Sequence, residues 1–181
     1  MRVISGKAKG TKLKAPDSAR PLTDRAKEAL YNILRAKVVE ASFLDLFAGS
    51  GAVGIEALSR GAKAATFVEL DRKAIAIIKE NLAAARLQEP VEIIPLDVIK
   101  ALKILTKSGQ KFDIIYLGAP YDSPALPEAL NLIGSAQLLN TKGIVIAEHR
   151  RQHQVEDVYG NLKAIRQERY GETVFKFFTG D

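Results

Sequence analysis

The sequence predicts an α/β fold in which a mostly parallel sheet carries helices on both faces and ends in an antiparallel hairpin. Two patterns predict it. From residue 42 onward, short apolar runs alternate with longer amphipathic ones, as strand–helix–strand units require. At the C-terminal end the alternation stops, and two strand-like runs flank Tyr170-Gly171-Glu172, a connection short enough only for an antiparallel pair. Length sets the bound: 181 residues suffice for one domain with a sizeable core, and a second domain is unnecessary.

The first element, residues 1–19, is basic. Its opening "MRVISGKAKGTKLK" carries Arg2, Lys7, Lys9, Lys12 and Lys14 and no acid. Val3, Ile4 and Leu13 are interleaved with these cations, and Gly6 and Gly10 break the run, so it reads as a small folded hairpin. Residues 1–40 hold ten Lys/Arg and four Asp/Glu, and the remainder seventeen of each, so the whole excess of +6 lies in the first 40. A basic arm on a neutral body points to a polyanion, most simply a nucleic acid; the competing reading is a solvated terminus. Residues 20–41 form a helix. Thr23 or Asp24 can cap it, and Ala26, Ala29, Leu30, Ile33 and Leu34 recur at helical spacing.

Residues 42–181 form the alternating core. "SFLDLF", "AATFVEL", "VEIIPL", "FDIIYL" and "GIVIAEH" read as strands. "AVGIEALSR", "RKAIAIIKENLAAARL", "VIKALKILTK" and the stretch near "PALPEALNLIGS" read as helices. The terminal hairpin is "LKAIRQERYGETVFKFF", whose Phe175, Phe177 and Phe178 read as packing residues. There is no cysteine, which excludes disulfides and thiolate metal sites and fits a reducing cytoplasm. No apolar run is long enough to span a bilayer, and the basic start has no apolar stretch behind it, so no secretory signal is expected.

The chemistry concentrates at strand ends. Gly49-Ser50-Gly51-Ala52-Val53-Gly54 is a G-x-G-x-x-G between a predicted strand and a predicted helix, where glycines permit a tight turn and close approach of a ligand. Asp45 precedes it at the end of the first strand. A pyrophosphate gains nothing from a carboxylate there, whereas a cationic, amino-acid-like ligand does. Glu69 ends the second strand, where an acid can accept ribose hydroxyls, with Asp71 as the second candidate. Asp97 ends the third, where it can accept an adenine amino proton; alone it reads as a helix cap. Three acids beside one glycine loop fit S-adenosylmethionine.

On these residues the chain resembles the class I S-adenosylmethionine-dependent methyltransferases. More narrowly, it is similar to the RsmD family, which methylates the 2-amino group of a guanine in bacterial small-subunit ribosomal RNA. The stretches that carry the likeness are "MRVISGKAKGTKLKAP", "RPLTDRAKEALYNIL", "LDLFAGSGAVGIEALSRGA", "VELD" and "FDIIYLGAPY". The resemblance implies a Rossmann-like, seven-stranded sheet with a reversed last hairpin. Nothing in the sequence demands more than a monomer. It implies a cofactor pocket of Asp45, Phe47, Gly49, Ser50, Gly51, Gly54, Glu69, Leu70, Asp97 and Val98, with Thr23 and Arg25 of a cofactor-covering helix closing its methionine end. It implies rRNA contacts from Arg2, Lys7, Lys9, Lys12, Lys14 and Arg20, and an assembling small subunit as partner.

One stretch departs from the family. Where the family reads Asp-Pro-Pro-Tyr or a close variant, this chain has Gly118-Ala119-Pro120-Tyr121. Tyr121 can stack on a base, and the carbonyls of Gly118 and Ala119 can accept from the target amine, but no side chain at 118 can. Asp122 is placed to point elsewhere. Two expectations follow: an active rRNA guanine methyltransferase using backbone acceptors, or a cofactor- and RNA-binding protein with little catalysis, which Gly118→Asp would reactivate. A nicotinamide-dependent oxidoreductase is the third, on the glycine pattern alone. His149 and His153 are expected to be ordinary surface histidines, with no third metal ligand in view, and Arg150 and Arg151 to extend the RNA surface or to be solvated.

Overall fold

The computed structural model describes residues 1–17 and 20–180, so residues 18 and 19, at the end of the basic segment, lie outside the described residues. Eight strands form one sheet: β1 (Ser42–Leu46), β2 (Ala64–Val68), β3 (Val91–Ile94), β4 (Phe112–Leu117), β5 (Leu139–Arg150), β6 (Val158–Tyr159), β7 (Leu162–Tyr170) and β8 (Thr173–Thr179). Their order is β3-β2-β1-β4-β5-β8-β7-β6. The first five are parallel; β8 is antiparallel to β5, and β7 to β8. The seven expected strands are present. The eighth, β6, is a two-residue edge strand on β7, too short to leave an alternating pattern in the sequence.

Among the described residues five α-helices cover the sheet: α1 (Asp24–Leu34), α2 (Ala52–Ser59), α3 (Arg72–Ala85), α4 (Val98–Ser108) and α5 (Ala125–Ser135). Strand alternation divides the core in two. Phe43, Ile114, Tyr116, Ile144, Ile146, Phe175 and Phe177 face α1, α2 and α3, whereas Leu44, Leu46, Ile115, Leu117, Val145 and Phe178 face α4 and α5. Central strands buried on both faces read as continuous apolar runs, as "FDIIYL" and "GIVIA" do. Among the described residues, no helix is long and apolar enough to cross a membrane.

The basic segment does fold back on itself. Arg2 bridges antiparallel to Lys12, and Val3 N donates to Thr11 O at 2.9 Å. It is held less by its own pairing than by the body. Val3, Ala8 and Leu13 are buried in the first core. The carboxylate of Glu56, in α2, accepts from Ile4 N at 2.9 Å, Ser5 N at 3.0 Å and Arg60 Nε at 2.7 Å, with Lys27 Nζ of α1 3.4 Å away. Lys27 in turn donates to Arg2 O at 2.6 Å. Burial pulls the Lys27 ammonium below its ordinary range, while Glu56 holds it up. Asn81 of α3 bonds both backbone groups of Lys14 and also donates to Ser50 O at 2.9 Å, joining the hairpin's end to the glycine loop.

Glu56→Ala strands a buried lysine and two backbone N–H groups. Urea titration is expected to show a loss of about 3–5 kcal/mol, the range for breaking a buried pair from one side.

Candidate active site

In this sheet the strand order reverses between β1 and β4, and crevices at such a reversal form at the carboxyl ends of the strands. The cavity found there has a volume of about 500 Å³. β1 contributes Asp45 and leads into Phe47, β2 leads into Glu69, β4 contributes Tyr116 and leads into Gly118, and β5 contributes Glu148. The pairing Asp45↔Tyr116 and the period of two along each strand put Asp45, Tyr116 and Gly118 on one face of the sheet.

The glycine loop makes the floor. Gly49 and Gly51 have φ of 56° and 75°, in the left-handed region that favours glycine, and Gly51 caps the N-terminus of α2. At Gly54 the requirement is space, since an added Cβ would lie 2.4 Å from Phe67 Cε1. The loop's amides tie it to the acids. Gly54 N donates to Asp45 Oδ2 at 3.0 Å, and Gly49 N to Glu69 Oε2 at 2.8 Å. Glu69 Oε1 accepts from Leu70 N and Asp71 N at 2.8 and 2.9 Å, so this carboxylate is fixed by three backbone donors.

Asp45 is 1% exposed. Burial pushes its carboxyl well above the usual carboxylate range; the Gly54 N–H opposes this, and Glu69 and Glu148 add to it. A buried carboxyl with one donor and two acidic neighbours lacks a cation. The residues present therefore fit a ligand that carries positive charge against Asp45 and hydroxyls against Glu69.

The structure brings together Asp45, Phe47, Gly49, Ser50, Glu69 and all four of Gly118, Ala119, Pro120 and Tyr121 on this cavity. Gly51 and Gly54 shape the loop from behind it. Other expected residues lie elsewhere. Thr23 is spent on capping α1, its Oγ1 accepting from Ala26 N at 3.2 Å, and with Arg25 it lines a neighbouring groove. The roof is instead Pro16, Arg20, Pro21 and Leu22, the chain entering α1 rather than the helix itself. Asp97 caps α4 by accepting from Ile99 N and Lys100 N, at 3.0 and 3.2 Å. Val98 is buried in the second core, and Leu70 is 63% exposed outside the cavity.

The groove beside the cavity, about 410 Å³, gathers Arg20, Arg25, Arg150 and Arg169 with Tyr121 and Tyr170. Arg20, Pro21, Leu22 and Tyr121 line both spaces, so the groove opens into the cavity. The Arg150 guanidinium lies 4.3 Å from the centre of the Tyr121 ring. On the hairpin, by contrast, Arg2, Lys7 and Lys14 are engaged with Asp24, Glu89 and Glu80. Lys9 and Lys12 have no ion-pair partner among the described residues.

Sequence reasoning missed Glu148, Tyr116 and Arg169. The signal for Glu148 was available: it is an acid at the end of a strand, like Asp45 and Glu69. His149 is a correction. It is buried, 6% exposed, because β5 runs through it and pairs it with Val174; its Nδ1 bonds Arg150 O at 2.9 Å. His153 pairs with Asp122 rather than with His149.

Comparison with known proteins agrees with this architecture. A family model described as "Conserved hypothetical protein 95" matches residues 1–179. YlbH of Bacillus subtilis (strain 168), provisionally named an rRNA methyltransferase, is 41% identical over 175 residues, 96% of this chain and 95% of its own. Ribosomal RNA small subunit methyltransferase D of Escherichia coli (strain K12) is 32% identical over 180 residues, 98% of this chain and 89% of its own. The solved structure of Escherichia coli yhhF, provisionally called a methyltransferase, has a TM-score of 0.86 at 30% identity, covering 100% of this chain and 98% of that one.

The raised Asp45 carboxyl fixes the sign of a pH effect. A cationic ligand favours the ionised form, so its binding expels a proton wherever Asp45 is protonated. Calorimetry with S-adenosylmethionine is expected to show affinity rising with pH up to that raised value, by at most about tenfold per unit. Asp45→Asn is expected to bind weakly and to lose this dependence.

Proposed function

The chain belongs to the RsmD-type family of S-adenosylmethionine-dependent methyltransferases, and on that premise we propose that it methylates the exocyclic 2-amino group of a guanine in small-subunit (16S) ribosomal RNA. The observation that carries the reading is one cavity lined by Asp45 and Glu69 that shares Arg20, Pro21, Leu22 and Tyr121 with a four-arginine groove. Bound S-adenosylmethionine supplies a methyl carbon on a positively charged sulfur, an activated leaving group.

The chain's residues do the rest. Asp45 balances the cofactor's charge, and Glu69, already held by three amides, keeps free lone pairs for ribose hydroxyls. Pro21 and Leu22 exclude water above. A base must leave its stack to enter such a cavity, and the Tyr121 ring is the face it would meet. The carbonyls of Gly118 and Ala119 lie on the same rim and can accept from an amine. Outside, the arginines suit the phosphates that flank an extruded base. The partner is then rRNA in an assembling small subunit.

The second reading, a cofactor- and RNA-binding protein without chemistry, rests on Gly118, which offers no side-chain acceptor. The nicotinamide alternative is disfavoured because a pyrophosphate would face Asp45, Glu69 and Glu148.

The deciding experiment is methyl transfer from labelled S-adenosylmethionine to small subunits lacking the modification, with the rRNA digested to nucleosides. N2-methylguanosine is the expected product. Label on another atom, or cofactor and RNA binding without label, would remove the reading. For the groove, Arg150→Ala with Arg169→Ala is expected to lower the slope of log affinity against log salt by about one to two. An unchanged slope would show that phosphates bind elsewhere.

A further inference from the structure

Gly118 leaves the loop without the family's acid, yet the place is not without a carboxylate. The parallel register sets Leu117 of β4 beside Ala147 of β5, so the next positions, Gly118 and Glu148, are neighbours. A Cβ added to Gly118 would lie 3.3 Å from Glu148 Oε2 and 3.1 Å from Tyr116 Cε1. Glu148 therefore occupies space that a side chain at 118 would need.

Two phenols hold that carboxylate. The Tyr116 hydroxyl donates to Oε2 in a short hydrogen bond, and the Tyr121 hydroxyl donates to Oε1 at 3.3 Å. Each oxygen keeps a further lone pair. Beneath the loop lies a second chamber of about 380 Å³, bordered by Ser123, His149 and His153. Ala119, Pro120, Tyr121 and Glu148 line both this chamber and the cofactor cavity, and Glu148 is the one charged residue of the four.

Resting on the guanine reading above, we propose that Glu148 supplies the carboxylate that holds the target amine in place of the family's loop acid, and that it selects guanine. Guanine presents its ring N1–H and its 2-amino N–H side by side on one edge, and two carboxylate oxygens accept both. Adenine presents an amino group beside a ring lone pair, which would face a carboxylate oxygen with nothing to donate. In the transfer, the nitrogen's electron pair forms the bond to the methyl carbon, and the carbon–sulfur pair leaves with sulfur as a neutral thioether. The nitrogen gains positive charge and gives up one N–H proton, first to Glu148 and then to solvent. Burial pushes the Glu148 carboxyl above the usual glutamate range, making it a better acceptor for that proton.

This reverses the expectation for position 118. Adding an acid beside Glu148 crowds two carboxylates and the Tyr116 ring, so Gly118→Asp alone should slow transfer. With Glu148 removed, the same change should help. The test is single-turnover methyl transfer to unmodified small subunits by the natural chain, Glu148→Gln, Glu148→Ala, Gly118→Asp, and Glu148→Ala with Gly118→Asp. Affinity for S-adenosylhomocysteine and melting temperature are measured on each.

Glu148→Gln is isosteric and can still accept from Tyr116, so it keeps the fold. It is expected to lower the rate about a hundred- to thousandfold, as loss of one preorganised catalytic hydrogen bond does, while affinity for S-adenosylhomocysteine changes far less than the rate. The double variant is expected to exceed Glu148→Ala by about tenfold or more. Natural-rate transfer by Glu148→Gln would overturn the proposal, as would cofactor affinity falling in step with rate. A folded double variant no faster than Glu148→Ala would overturn it too. These failures differ from that of the underlying reading, in which the natural chain itself puts no methyl on guanine and both conclusions fall.

Discussion

Everything around the cavity hangs on a single buried carboxylate. Glu56 sits in α2, directly behind the glycine loop, and its two oxygens meet donors from three separate stretches of chain: the hairpin backbone, Lys27 in α1 and Arg60 at the C-terminal end of α2. A charge buried so completely is tolerable only because it is paired and fully hydrogen-bonded. The geometry it enforces is the useful part. With the hairpin fixed at residues 4 and 5 and α1 fixed at residue 27, Pro16 and residues 20–22 between them are carried over the open end of the strands. Those residues touch nothing of Glu56, yet their position as a roof follows from it.

The floor obeys a different constraint, the alternation of a parallel sheet. One face of β1 and β4 carries Asp45 and Tyr116 and runs on to Gly118, and neighbouring β5 brings Glu148 to the same mouth. Polar groups on a face otherwise filled by Phe43, Ile114 and Ile146 are costly unless something binds them. Asp45 and Glu148 meet that requirement only in part within the protein: one amide for the first, two phenols for the second. The remaining acceptor capacity is what a ligand can use. It also explains why an acid lost from a loop need not be lost from a site: a sheet offers the adjacent strand's residue at nearly the same point in space.

Much of this was legible in the chain itself. The alternation of apolar runs and amphipathic segments marked the parallel strands and their helices, because strands buried on both faces leave continuous apolar stretches. The glycine spacing and the acids at two strand ends marked the floor, because local turn chemistry dictates them. What was not legible depended on contacts distant in sequence. Asp97 and Thr23 have residue types suited to ligands and to caps alike, and only packing shows that both act as caps. Arg169 joins Arg20 only because the terminal hairpin folds back beside the roof. The apparent isolation of the positive charge in the first 40 residues concealed that three hairpin cations are engaged with acids of the body. Glu148 obeys the same strand-end rule as Asp45, but its place beside Gly118 comes from the register of β4 against β5, which the sequence does not display.

The docked hairpin has a consequence for how the chain reaches this state. Its anchors lie far downstream: Ile4 waits for Glu56, Lys14 for Asn81 and Lys7 for Glu89, separations of 52, 67 and 82 residues. During synthesis the hairpin emerges well before its seat exists, and closing such long loops is slow compared with forming local turns. The parallel strands β1 and β2, with α2 and α3, have to assemble first. The roof over the cavity can then settle only once residue 89 has been made, although it is encoded near the front of the chain.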